Sequence, residues 1–115
     1  MPSDAEIVEW VLGWCLLQSR GIPITTSAAA LAQVGRGGSR QAVLARILTG
    51  VKVIPLDQWA GQQTGELLGV SRTRDVIDAH IAIIADRDDM VLTSDPDDIA
   101  RLAGARDVRL AIIRA

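Results

Sequence analysis

The segment DVIDAHIAIIADRDDMVLTSDPDDIARL, residues 75–102, decides the fold class. Its first part has isoleucines at i, i+4 and i+7 from Ile77, which is the spacing of a helix face that packs on a sheet. The apolar run Met90–Thr93 then has the length of a buried strand. Asp95-Pro96 opens a second helix, because proline is favoured at the first helical position. A helix, a strand and a helix in this order are typical of an α/β fold with a parallel sheet.

Local signals extend this pattern toward both ends of the chain. The segment Ser3–Glu6 has the capping-box pattern that opens a helix, and Gly50 and Gly69 each follow a helix as its stop. We expect helices over 3–19, 26–34 (capped by Thr26 or Ser27), 39–49, 57–68 and 75–85, and strands over 51–56, 90–93 and 108–113. This order predicts a parallel sheet with right-handed crossovers in a single domain that spans residues 1–115.

The composition is that of a folded domain. The 115 residues are 49% hydrophobic and 23% charged, which supplies one core and excludes a disordered chain. The longest nearly apolar run, Ile7–Leu17, is interrupted by Glu9 and is shorter than the ~18 residues that a membrane span needs. The single cysteine, Cys15, excludes an internal disulfide and a cysteine-based zinc site. Since no signal-peptide pattern is present, we expect a cytoplasmic protein without membrane attachment.

Acidic residues are concentrated in the second part of the chain. The formal net charge is −2, but residues 1–74 carry +2 (seven basic, five acidic) and residues 75–115 carry −4 (five basic, nine acidic). Eleven of the fourteen acidic residues are aspartates, and eight of these lie between Asp75 and Asp98. Aspartate favours caps, turns and metal sites over helix interiors, although genome composition alone can also produce such a bias.

Three of these aspartates are expected to converge. Asp75 and Asp78 are three residues apart and lie on one face of a helix near its start. Asp95 directly follows a strand, at the carboxyl edge where parallel sheets bind their ligands. Carboxylates gathered there must be neutralised by protons or by a cation, and an all-oxygen set suits Mg²⁺ or Mn²⁺ better than zinc. Such ions position water for attack on a phosphodiester.

A purely structural interpretation remains open for two of the three. Asp95 fits an N-cap before proline, and Asp75 fits the N-cap of its own helix. Asp97 and Asp98 are favoured in a first helical turn by the helix dipole. Asp78 lies one turn into its helix, where a capping role explains an aspartate less well than at Asp75 or Asp95. It is therefore the residue of the three that most favours a functional site.

Other conspicuous residues are more typical of packing than of chemistry. His80 is the only histidine, so a histidine-based metal cage or catalytic dyad is not expected. Cys15 lies in an apolar helix without a neighbouring base. Trp10 and Trp14, four residues apart, fit a core or a subunit interface.

Arginines near the glycine-rich stretch and before the acidic segment are candidates for contacts with phosphate groups. They are Arg36, Arg40, Arg72 and Arg74. Exposed arginines are common, so this pattern alone does not indicate nucleic acid. The stretch over 35–38 follows a helix and lacks the lysine and Ser/Thr of a Walker motif, so a nucleotide-binding loop is not expected.

Four segments together resemble the PIN-domain family. They are TTSAAALAQV at 25–34, RGG at 36–38, DVIDAHIA at 75–82 and VLTSDPDDI at 91–99. Within that family the chain is most similar to the VapC-like toxins of bacterial toxin–antitoxin pairs, and the similarity extends over most of the chain from about Ile7. The last two segments at this separation are more specific together than either is alone.

This resemblance implies a three-layer α/β sandwich and an Mg²⁺- or Mn²⁺-dependent endoribonuclease, often dimeric and neutralised by a cognate antitoxin. It assigns acidic site positions to Asp78 and Asp95, with Asp75 at the mouth of the same cleft. The glutamate that is usual in the second helix region falls on Gln33. Glutamine keeps an oxygen acceptor but loses the charge.

The family's first strand, which is central in the sheet and ends in an aspartate, has no counterpart before Ile7. Asp4 lies in a helix cap and is a poor substitute. We therefore expect the central strand and one ligand to be missing, either because the native protein starts further upstream or because this copy has lost activity. The flanking strands would then pair with each other, or a dimer partner would fill the gap.

A second function fits the same residues: a non-catalytic PIN-like module that binds an antitoxin or a second copy of itself. The apolar first helix, Gln33 and the missing aspartate favour it. In either case we expect an antitoxin to lay an apolar helix in a groove near the first helices and to offer a basic residue to the acidic site.

Overall fold

The computed structural model describes residues 20–21, 23–34, 45 and 49–114. The helix expected over 3–19 lies outside these residues, and so does most of the helix expected over 39–49. The calls on several side chains fall there as well: Trp10, Trp14, Cys15, Arg36 and Arg40.

The described chain is a mixed α/β structure, which confirms the fold class at this coarse level. Helices and strands follow one another in this order: β1 (Ile24–Ser27), α1 (Ala28–Val34), β2 (Val51–Ile54), α2 (Gln58–Ser71), α3 (Val76–Ile84), β3 (Met90–Thr93), α4 (Pro96–Arg106) and β4 (Ala111–Arg114). None of these helices combines the length and the apolar character that crossing a membrane requires.

The strands form two separate two-stranded parallel sheets. β1 pairs with β2, with Ile24 opposite Val51, and β3 pairs with β4, with Met90 opposite Ala111. Among the described strands no pairing joins the two sheets, so β1 and β3 do not close up against each other. The prediction of a single sheet of three strands was therefore wrong. The described residues also do not show the expected pairing of the strands that would flank a missing central strand.

β1 is the strand that the sequence did not predict. Its first residues, Ile24 and the two threonines after it, are β-branched and follow Pro23, which is a strand signal. Four residues are too few to show the alternation of a strand, and only the pairing with β2 defines this one. Ser27, at its end, does cap α1 as expected: its Oγ accepts the Ala29 N–H at 3.0 Å.

α3 joins the two halves of the structure. It contacts β1 and α1 on one side and α2 and α4 on the others. Its alanines Ala79, Ala82 and Ala85 are buried in a core cluster with residues from α2, β3 and α4: Leu67, Val91, Ile99 and Leu102. The expectation that Ile77, Ile81 and Ile84 form the packed face holds only in part. Ile81 packs against this cluster, but the isoleucines are half-buried, and the alanines are the positions that let the neighbouring elements approach closely.

Several element ends differ from the expected ones for local reasons. α2 continues through Gly69 to Ser71 and ends at Arg72, whose φ of 58° is the left-handed conformation of a C-cap. β2 ends at Ile54 because Pro55 has no N–H to donate to the sheet. β4 begins at Ala111, three residues later than expected.

Arg106 ties the end of α4 to the end of α3. Its Nη1 donates to the carbonyl oxygens of Ala82 and Ala85, the latter at 3.0 Å. These carbonyls belong to the last turn of α3, which otherwise lacks intrahelical partners and carries the negative end of the helix dipole. The guanidinium therefore joins the C-terminal ends of the two helices whose N-terminal ends carry the aspartates.

Candidate metal centre

Two helices begin with the same Asp-x-x-Asp arrangement. Asp75 is the N-cap of α3, and its Oδ1 accepts the Asp78 N–H at 3.0 Å. Asp95 is the N-cap of α4, and its Oδ1 accepts the Asp98 N–H at 3.3 Å. The structural interpretation of Asp75 and Asp95 as caps is therefore confirmed, and in both helices the backbone N–H of the second aspartate is the group that the cap accepts.

The two helix starts bring three carboxylates together. Asp78, Asp95 and Asp98 each offer an oxygen, and these oxygens all lie within 4.8 Å of one another. Asp78 is 9% exposed, Asp98 is half-buried and Asp95 is exposed, so the cluster opens to solvent on one side. Thr93, the last residue of β3, fixes the backbone that leads from this strand to Asp95, because its Oγ1 accepts the Asp95 N–H at 3.0 Å.

The sequence identified two members of this cluster and missed the third. Asp78 and Asp95 meet as expected. Asp75 is not one of the three that converge; its carboxylate caps α3. Asp98 was assigned only to the helix dipole, although the repeated Asp-x-x-Asp spacing at two helix starts was the signal that could have identified it.

The cluster is electrostatically unfavourable without a counter-ion. Burial, together with the charges of Asp75, Asp95 and Asp98, raises the pKa of Asp78 from 3.8 to about 7. Burial and the neighbouring Asp95 also raise the pKa of Asp98, opposed by Arg101 one turn further along α4. Protons or a cation must therefore offset the repulsion at neutral pH.

The donor set fits a small, hard divalent cation. Oxygen ligands about 2.1 Å from an octahedral ion are about 3.0 Å apart when adjacent and about 4.2 Å apart when opposite. Oxygens within 4.8 Å need only small rotations of the side chains to reach that spacing. Asp78, Asp95 and Asp98 would hold Mg²⁺ or Mn²⁺ through three carboxylates, with water or substrate oxygens completing the shell.

The other candidate residues lie in α3, in the loop before it or in α1. Arg72 and Arg74 are exposed in the loop that leads into Asp75, at the same end of α3 as the aspartates. Gln33 is half-buried in α1, which packs against α3. His80 is buried as a packed residue, as expected; burial lowers the pKa of its imidazole and Asp57 opposes that effect.

No family model matches this chain, and no curated protein or solved structure is significantly similar to it. A function therefore has to be inferred from the geometry of the aspartate cluster and from the motifs of the sequence.

Proposed function

We propose that the chain is a PIN-like ribonuclease of the VapC type that uses Mg²⁺ or Mn²⁺ to hydrolyse RNA phosphodiester bonds at Asp78, Asp95 and Asp98. The observation that carries this proposal is the convergence of three carboxylates from the starts of α3 and α4. The finer fold, a three-layer sandwich of the PIN type, belongs to the same proposal. The parallel pairing of β1 with β2 and of β3 with β4 supports it, because such a sandwich is built on parallel strands.

Each residue of the site has a distinct part in this chemistry. Asp78 is the buried anchor of the ion, while Asp95 and Asp98 complete the binding set from α4. When bound, the cation supplies positive charge that aligns water and offsets charge on the phosphate. A carboxylate oxygen not engaged by the ion accepts the proton that the attacking water loses, and the leaving ribose oxygen is protonated from solvent. Arg72 and Arg74 contact the RNA backbone beside the cluster.

Cleavage of RNA by matched aspartate variants tests this function. In Mn²⁺, we expect cleavage by the wild-type chain and a loss in Asp95→Asn larger than the 10- to 100-fold that removal of an outer-shell partner costs, about 100-fold or more. Asp97→Asn is the control, because Asp97 lies in the same turn of α4, is exposed, and stands outside the cluster. Equal cleavage by Asp95→Asn and wild type, or no cleavage by wild type at any divalent-ion concentration, would rule the function out.

A second candidate is a non-catalytic PIN-like module that binds a cognate antitoxin or forms a homodimer. One face of the β3–β4 sheet favours it, since Met90 is 67% exposed and Ile113 is 42% exposed on that face. Apolar side chains exposed together are typical of interaction surfaces. Mn²⁺ binding and RNA cleavage distinguish the two: a stable dimer by light scattering that neither binds Mn²⁺ nor cleaves RNA supports the module, and a chain that does both supports the nuclease in either oligomeric state.

A further inference from the structure

A buried hydrogen bond joins α3 to the end of β1. Ser27 Oγ lies 2.5 Å from His80 Nδ1, and both residues are 0% exposed. The same Oγ accepts the Ala29 N–H at the start of α1. One hydroxyl therefore connects β1, α1 and α3.

His80 is close to the aspartate cluster in sequence, but its bond to Ser27 lies on a different side of α3. His80 follows Asp78 by two residues, which places the two side chains about 200° apart around the axis of α3. His80 reaches the half of the structure that contains β1 and α1, while Asp78 reaches Asp95 and Asp98 on α4. The rotation of α3 about its axis therefore sets both contacts at once.

We propose that Ser27 and His80 are a positioning pair that holds α3 in the rotation at which Asp78 meets Asp95 and Asp98. The inference rests on the proposed function, since it assigns these residues to the same metal centre. Neither residue touches the ion or the RNA. Their part is to keep the Asp78 carboxylate within ligand distance of α4, because a shift of about 1 Å at one ligand is enough to weaken a metal site.

The chemistry of the pair argues for a positioning role over simple core filling. His80 Nε2 is buried without a hydrogen-bond partner, so the imidazole brings a desolvation cost that an apolar side chain would avoid. The apolar side chains that α3 buries completely are the alanines Ala79 and Ala82, whose small size gives little resistance to sliding or rolling of the helix. A directional bond at Nδ1 restricts that motion, and buried polar contacts are known to specify a single arrangement in this way.

A double-mutant cycle on Mn²⁺ affinity tests the pair. Ser27→Ala and His80→Leu are each expected to weaken Mn²⁺ binding about 10-fold by calorimetry, the range found for outer-shell partners of a metal site. Because both remove the same bond, the double variant is expected to be no weaker than either single one. His80→Asn keeps a polar atom near the position of Nδ1 and is expected to bind within about threefold of wild type. Leu67→Val, a core change in α2 outside the pair, is expected to lower the melting temperature without changing affinity.

Amide hydrogen exchange on the ion-free chain separates this inference from the proposed function. We expect Ser27→Ala to lower the protection of the Asp78 and Ala79 amides about 10-fold while Leu102, in α4, keeps its protection. Unchanged Asp78 protection, or additive losses of affinity in the double variant, would overturn the positioning role. A local loss of protection in Ser27→Ala together with no Mn²⁺ binding by the wild-type chain would overturn the metal centre, and with it the role of the pair at that centre.

Discussion

Asp78→Asn is expected to stabilise the ion-free protein at pH 7.5 while abolishing Mn²⁺ binding and RNA cleavage. In the folded state the pKa of Asp78 is about 7, against 3.8 without the surrounding fold, so ionising it at neutral pH costs folding free energy. Removing that cost entirely corresponds to ~4 kcal/mol, and we expect ~2 kcal/mol because the buried amide has a desolvation cost of its own. For a domain of this size this is a rise of ~8 °C in Tm.

Thermal unfolding and cleavage assays on the same preparations check this prediction. Asp97→Asn provides the control for removing one negative charge from the same region, and we expect its Tm and its cleavage rate to stay close to those of wild type. Gain of stability with loss of activity in one substitution is typical of a site whose ligands repel one another. A fall in Tm for Asp78→Asn would show that the carboxylate is stabilising and would contradict the electrostatic account of the cluster.

The stability of the ion-free protein is expected to fall as the pH rises from about 4 to about 7. Between these values Asp78 is protonated in the folded chain and ionised in the unfolded chain, so the folded state binds more protons and loses stability with rising pH. Below the interval both states are protonated and above it both are ionised, so the contribution is constant. The raised pKa of Asp98 acts in the same direction.

Mn²⁺ is expected to restore the stability that is lost at high pH. At 100 times its Kd an ion that binds only the folded state adds about 2.7 kcal/mol. Because protons and the ion compete for the same carboxylates, the increase in the free energy of unfolding is expected to be large at pH 8 and small at pH 5. Urea unfolding at the two pH values, with Mn²⁺ or with a chelator, measures both effects.

Asp78→Asn is the control for the pH dependence, since it retains every other titrating group and should flatten the slope between pH 5 and pH 7. The same slope in wild type and in the variant would mean that other groups cause it. A wild-type stability that rises from pH 5 to pH 8 in the absence of metal would contradict the raised pKa.

Local sequence signals were enough to predict the helices and the strand around the site. The strand and the sheet arrangement that could not be predicted depend on pairing between residues far apart in the chain. α3, β3 and α4 lie where the sequence placed them, because Asp75 and the Asp95-Pro96 pair are caps that act within one turn. β1 was missed because its pairing with β2 joins residues 27 positions apart, Ile24 with Val51, which no short window contains. The division into two sheets depends on such pairings throughout.

The residues of the candidate site also fall into those that the sequence could identify and those that only the packing shows. Asp78 and Asp95 could be selected because a helix start and a strand end both face the carboxyl edge of a parallel sheet. Asp98 was assigned to the helix dipole, and only the approach of α3 to α4 shows that its carboxylate joins the cluster. The bond between Ser27 and His80 spans 53 positions and depends on how α3 packs, so no spacing in the sequence indicates it.

The most direct test of the account is a calorimetric titration of the ion-free chain with Mn²⁺ at pH 7.5. We predict one ion bound per chain in the wild type and in Asp97→Asn, and no measurable binding in Asp98→Asn, because Asp98 is the carboxylate that the structure adds to the cluster. Undetectable binding by the wild type, or wild-type affinity in Asp98→Asn, would contradict a metal centre formed by Asp78, Asp95 and Asp98.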